Sequence, residues 1–258
     1  MLSYQHIYHA GNLADVHKHT LLAWMLSYLT RKEKPLSYIE THAGRALYDL
    51  TDPAAIKTGE AAQGIDSIAQ FFGPDHPLAQ VLASVHKAHG SHAYPGSPLI
   101  AASLLRPSDS LHLAELHPGE YDALRYAMAT FPAKCYRRDG WELAHSLCPP
   151  TPRRGLMLID PSYEIKNDYK YLPNHFRQYS KAWNVGIIAL WYPILKVSSH
   201  RGMLSTLQNQ FPEAFRHEVS FPPAREGHGM IGSGMFVINP PFGLSGEAER
   251  LARVFETL

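Results

Sequence analysis

Apolar residues recur at helical spacing from Leu13 to Thr30, with few breakers among them, and the spacing predicts a helix. Asn12 is placed to cap its start, and Pro35 stands just beyond its end. After Pro35 the period changes. Short apolar runs at 36–40, 111–115, 134–136, 156–159 and 185–191 predict strands. The run at 185–191 is the most apolar and is expected at the centre of a sheet. Runs at 215–221 and 235–239 predict a closing antiparallel pair joined by a glycine-rich loop. Helical stretches at 118–130, 141–147, 169–182, 198–210 and 245–256 separate most of the strands.

Strands alternating with helices argue for an α/β fold: a mostly parallel sheet covered on both faces. Such sheets bind ligands beyond the carboxyl ends of their strands. Seven strands with a terminal hairpin resemble the class I (Rossmann-like) methyltransferase fold. The gap between the strands ending at Glu40 and Glu115 is too long for one crossover. Residues 52–94 are therefore expected to form a small inserted helical subdomain. Ile65, Ile68, Phe71 and Phe72, then Leu78, Val81, Leu82 and Val85, repeat there at helical spacing, with Gly73-Pro74 as the break. Residues 1–51 and 95–258 would form the main domain around it, the first residues serving as an arm.

Composition narrows the class. Of 258 residues, 45% are hydrophobic and only 18% charged, which suits a full core and excludes a charge-driven disordered chain. Cys135 and Cys148 provide no disulfide framework. No secretory leader and no bilayer-spanning apolar run is evident, so the expectation is a cytoplasmic protein with no membrane partner and no obligate protein partner. The net charge of +1 says nothing about nucleic acid, because phosphate binding needs local cations and not a high total. Arg31-Lys32 with Lys34, Arg137-Arg138 and Arg153-Arg154 are short clusters that read more readily as ordinary solvated patches than as RNA contacts. His6, His9, His17 and His19 crowd the start, but no metalloprotease spacing or cysteine pair accompanies them, and no metal is expected.

The strand ends carry the chemistry. Glu40-Thr41-His42-Ala43-Gly44 follows the first strand, and Gly44 lets backbone approach a ligand without a Cβ. The segment is neither a Gly-x-Gly-x-x-Gly fingerprint nor a phosphate loop, which disfavours an NAD enzyme or an ATPase. Glu115 closes the second strand, where an acid can accept hydrogen bonds from ribose hydroxyls or simply cap the helix after Pro118. Asp139-Gly140 follows the third strand, facing an adenine edge or capping a helix. The fourth strand ends in Asp160-Pro161-Ser162-Tyr163. An acid, a proline and an aromatic ring at a strand end suit methylation of an exocyclic amino group. The Asp160 carboxylate and the Pro161 carbonyl would accept the amino hydrogens, and Tyr163 would stack on the base. A cationic sulfonium donor would supply the electrophile.

The run from Met1 to His6, then His9-Ala10-Gly11-Asn12-Leu13-Ala14-Asp15-Val16-His17-Lys18-His19-Thr20, resembles the RlmJ family. Thr41-His42-Ala43-Gly44, Tyr94-Pro95-Gly96-Ser97-Pro98, Glu115-Leu116-His117-Pro118, Ala189-Leu190-Trp191-Tyr192-Pro193, Gly232-Ser233-Gly234-Met235 and Ile238-Asn239-Pro240-Pro241 extend the resemblance in order over nearly the whole chain. It implies an S-adenosylmethionine-dependent methyltransferase acting on N6 of one adenine in 23S ribosomal RNA. It also implies a class I sheet with a small helical insertion. By that similarity His19, His42, Gly44, Ser97, Glu115, Asp139 and Gly140 would contact the cofactor. Asp160, Pro161 and Tyr163 would be catalytic, and Tyr4, His6 and Lys18 would serve the RNA or shape its pocket.

The chain departs from the family pattern twice. Ser162 stands where a second proline is usual, which frees φ and adds an N–H. Ala46 stands in a turn that usually reads Gly-Ala-Gly-Arg-Tyr, and its Cβ is expected to crowd the cofactor. Two alternatives stay open: a DNA adenine methyltransferase, because the tetrapeptide reads the base and not the sugar, and, on the strength of Ser162 and Ala46, a catalytically weakened nucleic-acid-binding protein linked to the use of external DNA.

Overall fold

The computed structural model describes residues 4–164, 168–224, 227 and 229–258. Met1, Leu2 and Ser3 of the quoted run, and Arg225, Glu226 and His228 of the expected glycine-rich loop, lie outside them. Helix α1 (Leu13–Thr30) is capped by the Asn12 side chain, which accepts from the Asp15 amide at 2.8 Å. It is buried almost all round, so its charged first turns lie inside the molecule. Strand β1 (Ser37–Glu40) follows, then a short strand β2 (Leu47–Asp49). Helices α2 (Pro53–Thr58), α3 (Glu60–Gln63), α4 (Ile65–Ile68) and α5 (Pro77–His89) come next, then β3 (Ala93–Pro95) and α6 (Ser97–Leu104). The remaining elements alternate: β4 (Ser110–Ala114), α7 (Pro118–Ala127), β5 (Ala133–Tyr136), α8 (Gly140–Leu147), β6 (Gly155–Ile159), α9 (Asp168–Ala182), β7 (Ile187–Leu195) and α10 (His200–Gln210). Strands β8 (Phe215–Ser220) and β9 (Met230–Ile238) and helix α11 (Leu244–Phe255) close the chain.

Seven strands form one sheet in the order β5-β4-β1-β6-β7-β9-β8, with β9 antiparallel to both of its neighbours and the other pairings parallel. Side chains alternate between two cores, as a doubly covered sheet requires. Leu156 and Leu158 of β6 join the core beneath α1 and α11, whereas Met157 and Ile159 join the core beneath α9 and α10. The middle strand is β6 and not the 185–191 strand. All of β6 is buried, while β7 runs on to Leu195 beyond the parallel strands and pairs there only with β9.

The 53–89 helices sit between the two strands of an antiparallel ribbon, β2 with β3, that the sequence pattern did not reveal. Helix α6 was likewise missed; its run is short and apolar without a polar face. The helical segment grips the amino-terminal arm. Gly11 O accepts from Ile65 N at 2.8 Å, the Asn12 amide donates to Glu60 at 3.0 Å, and His9 Nδ1 lies 3.1 Å from Glu60.

On β9, Gly234 stands opposite Tyr192, whose ring crosses it to donate to Glu218 at 2.7 Å. A Cβ at Gly234 would lie 2.1 Å from that ring. Gly234→Ala is therefore expected to destabilise the fold by about 1–3 kcal/mol through overpacking. Urea unfolding monitored by circular dichroism measures the change.

Candidate active site

Strand β6 ends where Asp160 begins the Asp-Pro-Ser-Tyr turn, and α1 lies directly above it. Lys18 Nζ donates to Asp160 Oδ2 at 2.6 Å and lies 3.0 Å from Asp15 Oδ1. The other Asp15 oxygen accepts from Gly11 N at 3.0 Å and lies 2.8 Å from His6 Nε2. His6 Nδ1 is 2.8 Å from the Tyr4 hydroxyl, and the Tyr4 ring stacks on His9. A continuous polar chain thus joins the arm to the turn. Burial alone would drive the Lys18 ammonium towards neutrality, but the two carboxylates outweigh it and raise its pKa. Asp15, equally buried, is held well below the usual carboxylate range by His6, Lys18 and His19, against the effect of burial.

The turn is fixed from its other end as well. Tyr163 adopts a left-handed φ of 57° and donates its hydroxyl to the Trp191 carbonyl at 2.6 Å. Its ring packs against Tyr169 and Trp191 and is only 8% exposed. Tyr163 is thus part of a core here and not the open stacking surface the sequence suggested. Lys18 also departs from expectation. At 4% exposure and bound by two carboxylates it cannot reach out to the RNA, and of its two expected roles only the shaping of the pocket remains open to it.

A second group of side chains lines the carboxyl ends of β1, β4 and β5. Glu115 accepts from Gly44 N at 2.9 Å and from His117 N at 2.7 Å. His117, not Glu115, caps α7. Asp139 caps α8 by accepting from Glu142 N at 3.0 Å, so the plain capping reading holds for one of its oxygens. Gly140 packs on β1 so closely that a Cβ would meet the Thr41 carbonyl at 1.8 Å. His42 contacts Trp141 edge-on, and burial lowers its pKa to about 4. His19 is neutral for the same reason, at about 3; its Nδ1 lies 2.8 Å from the Tyr94 hydroxyl.

Three residues were passed over as site residues. Asp15 shares a helix face with Lys18 and His19, an i, i+3, i+4 signal visible in the sequence. Trp191 supplies the surface over which Lys18 sits, 5.5 Å from the ring centroid. Glu40 is fully buried, bonded by Ser97 Oγ at 2.5 Å and by the Tyr38 hydroxyl at 2.9 Å, and burial raises its pKa to about 8. An acid at the end of β1 was the available signal for it.

The sheet order, the single antiparallel strand beside the edge, and an Asp-Pro turn at the end of β6 define a class I (Rossmann-like) methyltransferase. The family model described as ribosomal RNA large subunit methyltransferase D, RlmJ, matches residues 33–257. The chain is 40% identical over 252 residues to ribosomal RNA large subunit methyltransferase J of Escherichia coli (strain K12), covering 95% of this chain and 89% of that protein. It is 36% identical over 259 residues to the Haemophilus influenzae protein of the same name, covering 97% and 92%. A crystal structure of a Legionella pneumophila protein superposes with a TM-score of 0.84 at 35% identity, covering 96% of this chain and 92% of that one. The chain belongs to the RlmJ family of ribosomal RNA large subunit methyltransferases.

The departure at Ala46 has a different consequence from the one its sequence position suggested. Ala46 is fully buried at a left-handed φ of 67°, and its carbonyl accepts from Gly96 N at 2.7 Å. An alanine Cβ is strained in that conformation. Ala46→Gly should therefore stabilise the protein by about 1 kcal/mol, read as a higher urea midpoint at constant slope.

Glu40 gives a pH signature. Its folded pKa lies above its unfolded one, so the folded state binds more protons between 4.5 and about 8. The Glu40 contribution is thus full below 4.5 and is lost as pH rises through about 8. Glu40→Gln should flatten the decline of stability across that window, which unfolding curves at several pH values would reveal.

Proposed function

We propose that this chain transfers the methyl group of S-adenosylmethionine to N6 of an adenine in 23S ribosomal RNA. The observation that carries the reading is the Asp160–Pro161 turn at the end of β6, with its carboxylate held by buried Lys18. The cofactor suits the residues present. His19 Nε2 is buried without a hydrogen-bond partner among the described residues. Glu115 spends one lone pair of each oxygen on a backbone amide and keeps others for ribose hydroxyls. In this reading His42, Gly44, Ser97, Asp139 and Gly140 complete the cofactor crescent. When bound, the cofactor presents an electrophilic methyl on a sulfonium.

The adenine amino lone pair is delocalised into the ring and is a weak nucleophile. The Asp160 carboxylate and the Pro161 carbonyl accept its two hydrogens and draw the nitrogen towards tetrahedral geometry. Asp160 takes the proton released as the carbon–nitrogen bond forms. Lys18 acts on Asp160, fixing the orientation of the carboxylate, and orientation of this kind is a large part of catalysis. Tyr163 holds the turn. Tyr4 and His6 place the arm beside the substrate, and the 52–94 insertion anchors that arm. A ribosomal RNA substrate puts the enzyme in the cytoplasm.

Incubation with labelled S-adenosylmethionine and unmodified 23S RNA, followed by nucleoside digestion, should yield N6-methyladenosine, and adenine-containing DNA should remain unlabelled. Label on DNA alone would overturn the substrate assignment. Asp160→Ala should lower methyl transfer by about two orders of magnitude or more while cofactor affinity, measured by calorimetry, is retained.

A further inference from the structure

We infer that Trp191 is a positioning residue of the methyl-transfer reaction, held in place by a string of buried Ser233, buried His17 and half-buried His217. The inference rests on the proposed amino methylation for its setting and on geometry for its content. Ile159 of β6 pairs with Leu190 of β7, so Asp160 and Trp191 are neighbours at the next register position. Trp191 pairs in turn with Met235 of β9, and Met235 with His217 of β8. Asp160, Trp191, Met235 and His217 therefore form one row across the sheet, beneath α1. Two consecutive α1 residues bridge it. Lys18 meets Asp160 at 2.6 Å and the Trp191 ring at 5.5 Å, while His17 reaches the far end of the row.

The string runs through three consecutive hydrogen bonds. The Trp191 indole N–H can only donate, and it donates to Ser233 Oγ at 2.8 Å. Ser233 Oγ lies 2.8 Å from His17 Nδ1, and His17 Nε2 lies 2.9 Å from His217 Nδ1. An assignment that satisfies Ser233 and both His17 nitrogens sends the Ser233 proton to His17 Nδ1 and the His17 Nε2 proton to His217 Nδ1. Burial pushes both imidazoles towards the neutral form that this requires. Ser233 and His17 are fully buried, so leaving any member unpaired is expensive. Packing alone would be served as well by apolar side chains.

The string gives the indole one orientation. The Tyr163 hydroxyl grips the Trp191 carbonyl at 2.6 Å, so the same residue ties the catalytic turn to its own strand. Trp191 is the joint at which the turn, the sheet and Lys18 meet. Releasing its N–H lets the ring rotate, and Lys18 and Asp160 lose a fixed wall. Small misplacements of this kind slow chemistry more than they weaken binding.

The test uses Ser233→Ala, Trp191→Phe and the double variant in the full chain, with active sites counted by bound S-adenosylhomocysteine. Each single variant should lose about tenfold to a hundredfold in kcat per active site, with KM for the nucleic acid and cofactor affinity unchanged. The double variant should be no slower than the worse single one, because both remove the same bond. In Ser233→Ala the Trp191 indole N–H should also shift in a ¹⁵N spectrum and exchange faster with water. Losses that multiply in the double variant, or that vanish once rates are scaled to folded sites, would overturn the inference. The variants are compared on whichever adenine substrate, RNA or DNA, the wild type methylates, so a wrong substrate assignment leaves this outcome intact.

Discussion

One buried ammonium organises this molecule. Lys18 lies in the interior between Asp15, one turn earlier on its own helix, and Asp160, at the end of the middle strand. Removing three charges from water is costly, and such a cluster persists only where geometry and further hydrogen bonds compensate. The protein meets that condition from several directions. The Gly11 amide and His6 serve Asp15, and α4 pins the residues around Gly11 through the Ile65 amide so that the Gly11 amide stays in place. The arm, the 53–89 helices and α1 are thus held in register by the need to satisfy charges that only the Asp160 turn completes.

The same constraint explains why α1 lacks a polar face. A helix at the surface would show its charges to water. Here Asp15, His17, Lys18 and His19 all point inward, to different partners. Asp15 and Lys18 link the arm to the turn, His19 faces Tyr94 of the β2–β3 ribbon, and His17 faces Ser233 and His217. The helix distributes one site over three regions of the fold. The strand ends supply the other half: Glu40 closes β1 while Glu115 and Asp139 follow β4 and β5, where parallel strands bring them close.

Much of this was legible from local pattern. The alternation of strand and helix, the long first helix with its Asn12 cap, and the polar residues at strand ends follow from periods of two and 3.6. Strands of three residues, such as β2 and β3, carry too little pattern to be seen. The burial of Lys18 was illegible for another reason. Its partner lies 142 residues away, and only the folded sheet brings the two together. Tyr163 misled in the same way. An aromatic residue after an Asp-Pro turn suits base stacking, but the carbonyl that captures its hydroxyl belongs to a strand 28 residues on. Asp139 kept both of its readings, because capping a helix uses a single oxygen.

The architecture also recasts the meaning of Ser162. A second proline would stiffen the turn from within by fixing φ. Here the stiffness comes from outside. Pro161 is buried, the Ser162 side chain faces solvent, and Tyr163 is held at positive φ by core packing and by the Trp191 carbonyl. Strained backbone persists where its surroundings over-determine it, and this turn is clamped at both ends, by Lys18 and by Trp191. The acceptors proposed for the amino hydrogens, Asp160 and the Pro161 carbonyl, both precede Ser162 in the chain. A serine at a solvent-facing position between two clamps therefore removes a redundant restraint and leaves both proposed acceptors in place.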